Sequence, residues 1–199
     1  MRGLLVLVLF FSSFTSNAQL EFSLGVKGGI NYMSLTGNTP LIKHDFRKDY
    51  HLGVFLLAKT KVLGIQPELI YSRQGASSSS IYGNFDIQYD YLNVPVIFKL
   101  YLIKGLNFQL GPQLSLLVGA SGPVGNPQTG YFTAQSVYER INKVDVSIVG
   151  GFGWDFLNRF SLETRFNLGL TKTNDKSTNE EKNQVVQISA GCKLFKFGK

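Results

Sequence analysis

Long apolar runs are all but missing from this 199-residue chain. The one near its start, Leu4 to Phe11, is too short for a membrane-spanning helix, which needs about 20 apolar residues. It follows Arg2 and gives way to small and polar residues ending in Ser16-Asn17-Ala18, the layout of a secretory signal peptide. Residues 1–18 are therefore expected to be a cleaved signal, and 19–199 a single domain, since the length calls for no second one. Cysteine is as scarce. Cys192 stands alone, which excludes an intrachain disulfide, and it lies in a strand-like run where it reads as a small apolar residue.

Histidine occurs only at 44 and 51, and the spacings H-E-x-x-H and G-x-S-x-G do not occur. The glycines of VGGFGWD (149–155) lack the G-x-G-x-x-G spacing and a following helix pattern, so they do not form a nucleotide loop. His44-Asp45 beside the serines of ASSSS (76–80) would be the one set for lipid chemistry, and Asn174-Asp175 with Glu180-Glu181 the one weak calcium set. Exposed loop polarity explains both better. No catalytic residue, cofactor or metal is expected, and the protein is read as not an enzyme. The formal charge of +7 falls to +6 when Arg2 leaves with the signal. The basic residues are scattered along the chain without the stripe that marks nucleic-acid binding.

What the sequence does contain is alternation. In FSLETRFNLGL (160–170) Phe160, Leu162, Phe166, Leu168 and Leu170 alternate with Ser161, Glu163, Arg165, Asn167 and Gly169. Period two means a strand. Seven other runs share the pattern: 22–32, 50–59, 64–74, 85–101, 106–118, 143–156 and 184–197. The run 85–101 changes phase near Tyr91 to Asn93, which suggests a bulge there. Pro67, Pro95 and Pro112 each remove a ladder hydrogen bond and are read as tolerated irregularities.

The links between runs alternate in length. Thr60–Leu63, Leu102–Gly105 and Leu157–Arg159 are short, whereas Leu35–Asp49, Ala76–Asn84, Ala120–Asn142 and Thr173–Asn183 are long and polar. Short turns at one end and long loops at the other are the pattern of an outer-membrane barrel. The even number of runs lets antiparallel neighbours close on themselves. The expected fold is all-β, an eight-stranded antiparallel up-and-down transmembrane β-barrel.

Two aromatic belts are expected on its lipid face, with Tyr32, Tyr50, Tyr71, Tyr89 and Tyr91 at the outer end and Phe22, Tyr101, Trp154, Phe156 and Phe160 at the periplasmic end. The apolar set then points to lipid, and Lys27, Glu68, Lys99, Gln109, Gln113, Asp145, Glu163 and Arg165 point inward. Eight strands leave an interior that side chains just fill. An interior ion-pair network of Lys27, Glu68, Lys99, Glu163 and Arg165 is expected, because a lone buried charge is costly.

The segment YDYLNVPVIFKLY (89–101) resembles the Tyr-Leu-x-Val/Ile-Pro-hydrophobic-Lys signature of the PorT-like family of small outer-membrane β-barrel proteins. QPELIYSRQG (66–75) and LGVKGGINYMSL (24–35) are similar to further segments of that family. The resemblance implies an eight-stranded outer-membrane barrel, and in one branch a link to a protein secretion apparatus. Fold analogy alone does not deliver function. The reading is a structural, binding or assembly protein of the cell outer membrane, monomeric, in contact with membrane lipid, whose long loops meet a protein or surface-polysaccharide partner. Two other classes stay open: a lipid-modifying enzyme of the outer membrane, and a soluble lipocalin-like secreted binding barrel.

Overall fold

The computed structural model describes residues 20–35, 42–80, 83–126, 131–136, 142–171 and 183–198. The segment read as a signal peptide lies outside them, as do Asn174-Asp175 and Glu180-Glu181. The described residues form β1 (Glu21–Leu35), β2 (Ile42–Lys59), β3 (Leu63–Ser80), β4 (Gly83–Tyr101), β5 (Leu106–Asn126), β6 (Tyr131–Ser136), β7 (Val144–Phe156), β8 (Phe160–Gly169) and β9 (Asn183–Phe197), with no helix among them.

Every pairing is antiparallel. The order β4-β3-β2-β1-β9-β8-β7-β5 closes through a β4–β5 pairing, so eight strands make a barrel and no main edge is left. β6 stands outside the ring: it pairs only with the far end of β5, from Ser121↔Ser136 to Asn126↔Tyr131. The strands, 10 residues at the shortest and 21 at the longest in the ring, meet the 9–11 residues or so that a tilted strand needs to cross hydrocarbon.

The period-two pattern translates directly into burial. In β8 the residues alternate exposed and buried from Phe160 to Gly169, with the apolar set outside. The same holds around the ring, where Leu52, Leu110 and Phe152 are each more than 60% exposed. An apolar wall of this extent has a physical reason only against lipid, where backbone groups are satisfied within a closed sheet and side chains face hydrocarbon.

Three expectations are corrected. β4 keeps one phase, with Tyr89, Tyr91, Asn93, Pro95, Ile97, Lys99 and Tyr101 all inward. The register shift between β4 and β5 falls at Asp90/Tyr91, where Asp90 pairs Gly119 and Tyr91 pairs Leu117, so the extra residue is Val118 on β5. Tyr89, Tyr91 and Tyr101 therefore leave the belts and line the interior, at 4%, 1% and 8% exposure. The outer belt retains Tyr32, Tyr50 and Tyr71, the last two with ring centroids 6.3 Å apart. The other end retains Phe22, Trp154 and Phe160, with Phe156 between the last two, stacked on Phe160 and tilted against Trp154.

The long links are also shorter than the sequence suggests. β3 runs on through the serines to Ser80 and β4 begins at Gly83, while β5 and β6 occupy much of 120–142 as a hairpin. Serine disfavours strands weakly, and a ladder already set by its neighbours carries the pairing past the membrane. Pro67, Pro95 and Pro112 sit inside β3, β4 and β5 without a register shift beside any of them.

Candidate functional site

Among the described residues, the interior is the one place where charged groups from distant strands meet. Small residues make the room. Gly25 lies so close to Phe55 that a Cβ there would stand 2.4 Å from the ring, and one on Gly153 would meet the tips of Gln109 and Asn107. Large side chains from other strands then fill the lumen across from these bare positions.

At the centre Arg165 on β8 donates from Nη1 and Nη2 to the two oxygens of Glu68 on β3, at 2.9 and 2.7 Å. Its Nη2 also stands 2.9 Å from Glu163 Oε2. Lys99 on β4 donates to Glu163 Oε1 at 2.8 Å, and Lys27 on β1 lies against Glu163 Oε2 and 3.4 Å from both oxygens of Glu68. The five residues expected to form a network, Lys27, Glu68, Lys99, Glu163 and Arg165, thus stand in one group, each at most 4% exposed. Gln66 Nε2 donates to Glu68 Oε1 at 2.6 Å, and Arg165 Nε donates to Gln109 Oε1 at 2.7 Å. Such neutral partners occupy the remaining lone pairs and protons that a buried ion pair must satisfy.

Asp155 extends the group toward the short turns. Its Oδ1 stands 3.9 Å from Lys99 Nζ, and its Oδ2 accepts from Lys193 at 2.7 Å and from the Tyr101 hydroxyl at 3.2 Å. The sequence places Tyr101 on the lipid face; in the structure its hydroxyl meets a carboxylate inside the lumen instead.

Toward the long links lies a second constellation, built around His51, whose partners no spacing in the sequence announces. Asn31 Nδ2 points at the carbonyl of Arg73 (2.7 Å) and at Ser72 Oγ (2.9 Å), with the carbonyl of Tyr50 3.2 Å away. Carbonyls only accept, which fixes the amide nitrogen on that side and leaves Oδ1 facing His51 Nδ1 at 2.8 Å and Gln187 Nε2 at 3.0 Å. Since Oδ1 carries no proton, His51 Nδ1 must donate, and in the neutral ring Nε2 accepts from Ser189 Oγ at 2.8 Å. Asn, His and Ser are ordered here as in a nucleophilic triad.

Its surroundings decide against that chemistry. Ser189 and His51 are each 2% exposed, and Met33, Tyr89, Tyr91, Leu117, Ala120 and Val185 pack together across the lumen on the outer side. No carbonyl of a lipid can stand within reach of Ser189 without removing that packing. The side chains of His44, Asp45 and the serines of 76–80 lie outside the described residues. Among those that are described, no three His, Cys, Asp or Glu side chains gather as metal ligands.

Likeness to known proteins agrees with this architecture. The structure of neisserial surface protein A superposes with a TM-score of 0.58 at 12% identity, covering 87% of this chain and 99% of that one. Ail, the attachment invasion locus protein of Yersinia pestis, gives 0.52 at 12% identity over 91% of this chain and 100% of its own. At these identities the likeness is one of fold. No curated protein matches the sequence. The family profile described as outer membrane protein beta-barrel domain matches residues 13–175, most of the chain. The closed eight-stranded ring with its apolar wall agrees with that match, and the protein belongs to the outer membrane protein β-barrel domain family.

Proposed function

We propose that the protein is a non-enzymatic component of the outer membrane, monomeric, with both chain termini in the periplasm, which binds or helps assemble a partner through the connections at its outer end. The observation that carries this reading is the filled lumen. Arg165, Tyr91, Lys99, Met33 and Gln66 are each at most 2% exposed and come from four strands that together span the bore. A bore packed in this way holds neither a substrate chamber nor a porin-sized passage, and it leaves the two ends as the surfaces free to recognise something. A surface polysaccharide or another protein fits the outer end, where Tyr32, Tyr50 and Tyr71 stand beside Lys48 and Arg73.

A secretion apparatus is one partner that the PorT-like segments imply. Yet Gln66, Glu68, Asn93 and Lys99, which belong to those segments, all face the lumen. They account for how the barrel is filled, and a partner has to be sought at other residues. Carbonate washing of isolated membranes tests the membrane part of the reading: the protein should stay in the pellet, and its release into the soluble fraction would overturn it. Crosslinking from positions 120–142 on intact cells, followed by pull-down, tests the outer-end part, and a single recurrent adduct is expected.

A further inference from the structure

The basic residues, scattered in sequence, are not balanced in space. Between residues 34 and 50, 73 and 90, 119 and 145, and 170 and 184, the segments at the end of the long links, the chain holds nine basic and nine acidic side chains. The opposite end gathers Lys59, Lys61, Lys104, Arg159, Lys193 and Lys196 against Glu21 and Asp155 alone. Four of the six excess positive charges that remain without Arg2 therefore sit around the short turns, the end that the reading above places in the periplasm.

That end is also concave. A cavity of about 630 Å³ opens there between the turns 60–62, 102–105 and 157–159. Lys59, Lys61, Lys104 and Lys193 line it, and Tyr101 and Asp155 also stand in its wall. Asp155 is already held by Lys193, and Glu21 is shared between Lys59 at 3.7 Å and Lys196 at 3.2 Å. Lys61 and Lys104 are exposed and have no carboxylate partner among the described residues. Apolar walls from Leu102, Phe156 and Leu157 complete the chamber, which has the size and mixed lining of a ligand site.

We infer that this vestibule is a docking site for an acidic polypeptide segment, one carrying several consecutive aspartates or glutamates on a periplasmic protein. The concavity decides between anions. Lipid headgroups ring the outside of a barrel, whereas Lys193 is buried and projects into the bore. Several ammonium groups around one chamber offer successive carboxylates of a single chain more than one partner, which a lone anion would not use. Low dielectric walls on either side strengthen the attraction and draw an anionic segment in.

The only tryptophan of the chain reports on the site. Trp154 lines the cavity, and its indole Nε1 donates to the carbonyl of Lys104 at 3.2 Å. The full-length protein in zwitterionic lipid nanodiscs, where both ends are open to solution, is titrated with a hexaglutamate peptide and its hexaglutamine counterpart while Trp154 emission and binding heat are followed. The glutamate peptide should bind saturably and at least tenfold more weakly when salt rises from 50 to 500 mM, and the glutamine peptide should not bind. K61E/K104E, two exposed changes that leave the lumen intact, should weaken binding at least tenfold, and K48E at the opposite end should leave it unchanged. Absence of binding by wild type, or equal binding by K61E/K104E, overturns the inference. So does sedimentation with peptidoglycan sacculi, or a response to phosphatidylglycerol nanodiscs, by a protein that ignores the peptide. Because the titration depends neither on orientation in the cell nor on the outer loops, its failure would leave the proposed function standing.

Discussion

Arg165 and Glu68 meet as a two-pronged pair across the lumen, 97 residues apart in sequence and on strands that are not neighbours. The pair ties β8 to β3 through the bore, where the sheet itself supplies no contact. Parallel N–H bonds to both carboxylate oxygens require the planar fork of arginine, which lysine lacks. Removing Arg165 leaves Glu68 buried with only Lys27, at 3.4 Å, as a charged partner. Arg165→Ala is therefore expected to lower unfolding free energy by about 3–5 kcal/mol, and Arg165→Lys to recover only part of it. Glu68→Ala combined with Arg165→Ala should cost less than the sum of the single changes, because no charge is then stranded. Denaturant titration of the purified, refolded protein gives the four values, and additive losses would show the two groups to be separately hydrated.

Much of this was legible in the sequence. Period two sets which residues share a face, and a closed ring of eight then decides that ionisable residues on the polar face must meet, which is how Lys27, Glu68, Lys99, Glu163 and Arg165 could be named together. Tyrosine was where that reasoning failed. A ring with a hydroxyl suits a membrane interface and a polar lumen equally well, so Tyr89, Tyr91 and Tyr101 could be placed only by the phase of β4. That phase was misjudged because Ile97 inside and Pro95 beside it break the apolar-out rule, and the bulge they seemed to announce lies on β5. The grouping of Asn31, His51 and Ser189 was missed for another reason. They come from β1, β2 and β9, and nothing in spacing along a chain announces a contact made across strands. The charge asymmetry between the ends was hidden in the same way, and only the alternation of links could have exposed it.

A filled bore predicts electrical silence. Reconstituted in planar bilayers, the protein is expected to show no steady ohmic conductance of porin size in 1 M salt. The variant Lys27→Ala/Arg165→Ala, which removes two of the largest groups in the network, should add brief openings if it remains folded. A steady large conductance from the wild type would contradict the packing of the central group.

His51 is expected to be structural. Substituting alanine leaves the buried Ser189 hydroxyl without its partner and takes from Asn31 Oδ1 one of its two bonds, the other coming from Gln187 Nε2. The loss should be about 1–3 kcal/mol for each group left unsatisfied, read as a lower unfolding midpoint. Phospholipid and lipopolysaccharide from cells carrying His51→Ala should have the same acyl chains as those from wild-type cells, by mass spectrometry of extracted lipid. A change of one acyl chain would restore the enzyme reading.

The last test concerns the space that glycine leaves. A Cβ on Gly191 of β9 would stand 2.5 Å from Ser161 Oγ on β8, while its other nearest neighbours are at 3.5 Å, an ordinary contact. These two residues are paired across the β8–β9 seam, Ser161↔Gly191, and Gly191 also pairs Lys27 on β1. Crowding at this point would press on the strand that carries Lys27 into the network. Gly191→Ala is thus expected to destabilise by about 1–3 kcal/mol, the usual cost of overpacking. Ser161→Ala removes the single clashing atom, so the double variant should return most of the loss, with the new Cβ filling the space of the hydroxyl. The ladder is what makes the prediction sharp. Gly29, two residues along β1 from Lys27 and paired with Ser189 on β9, would press its Cβ against the carbonyl oxygen of Ile188, a backbone atom that cannot be trimmed. Gly29→Ala should therefore destabilise more than Gly191→Ala and resist rescue by any side-chain change, including His51→Ala, which relieves only the 2.9 Å contact with the imidazole. Thermal unfolding of the five variants in one detergent would rank them, and rescue of Gly29→Ala by His51→Ala would show that the side chain, and not the strand, sets the limit.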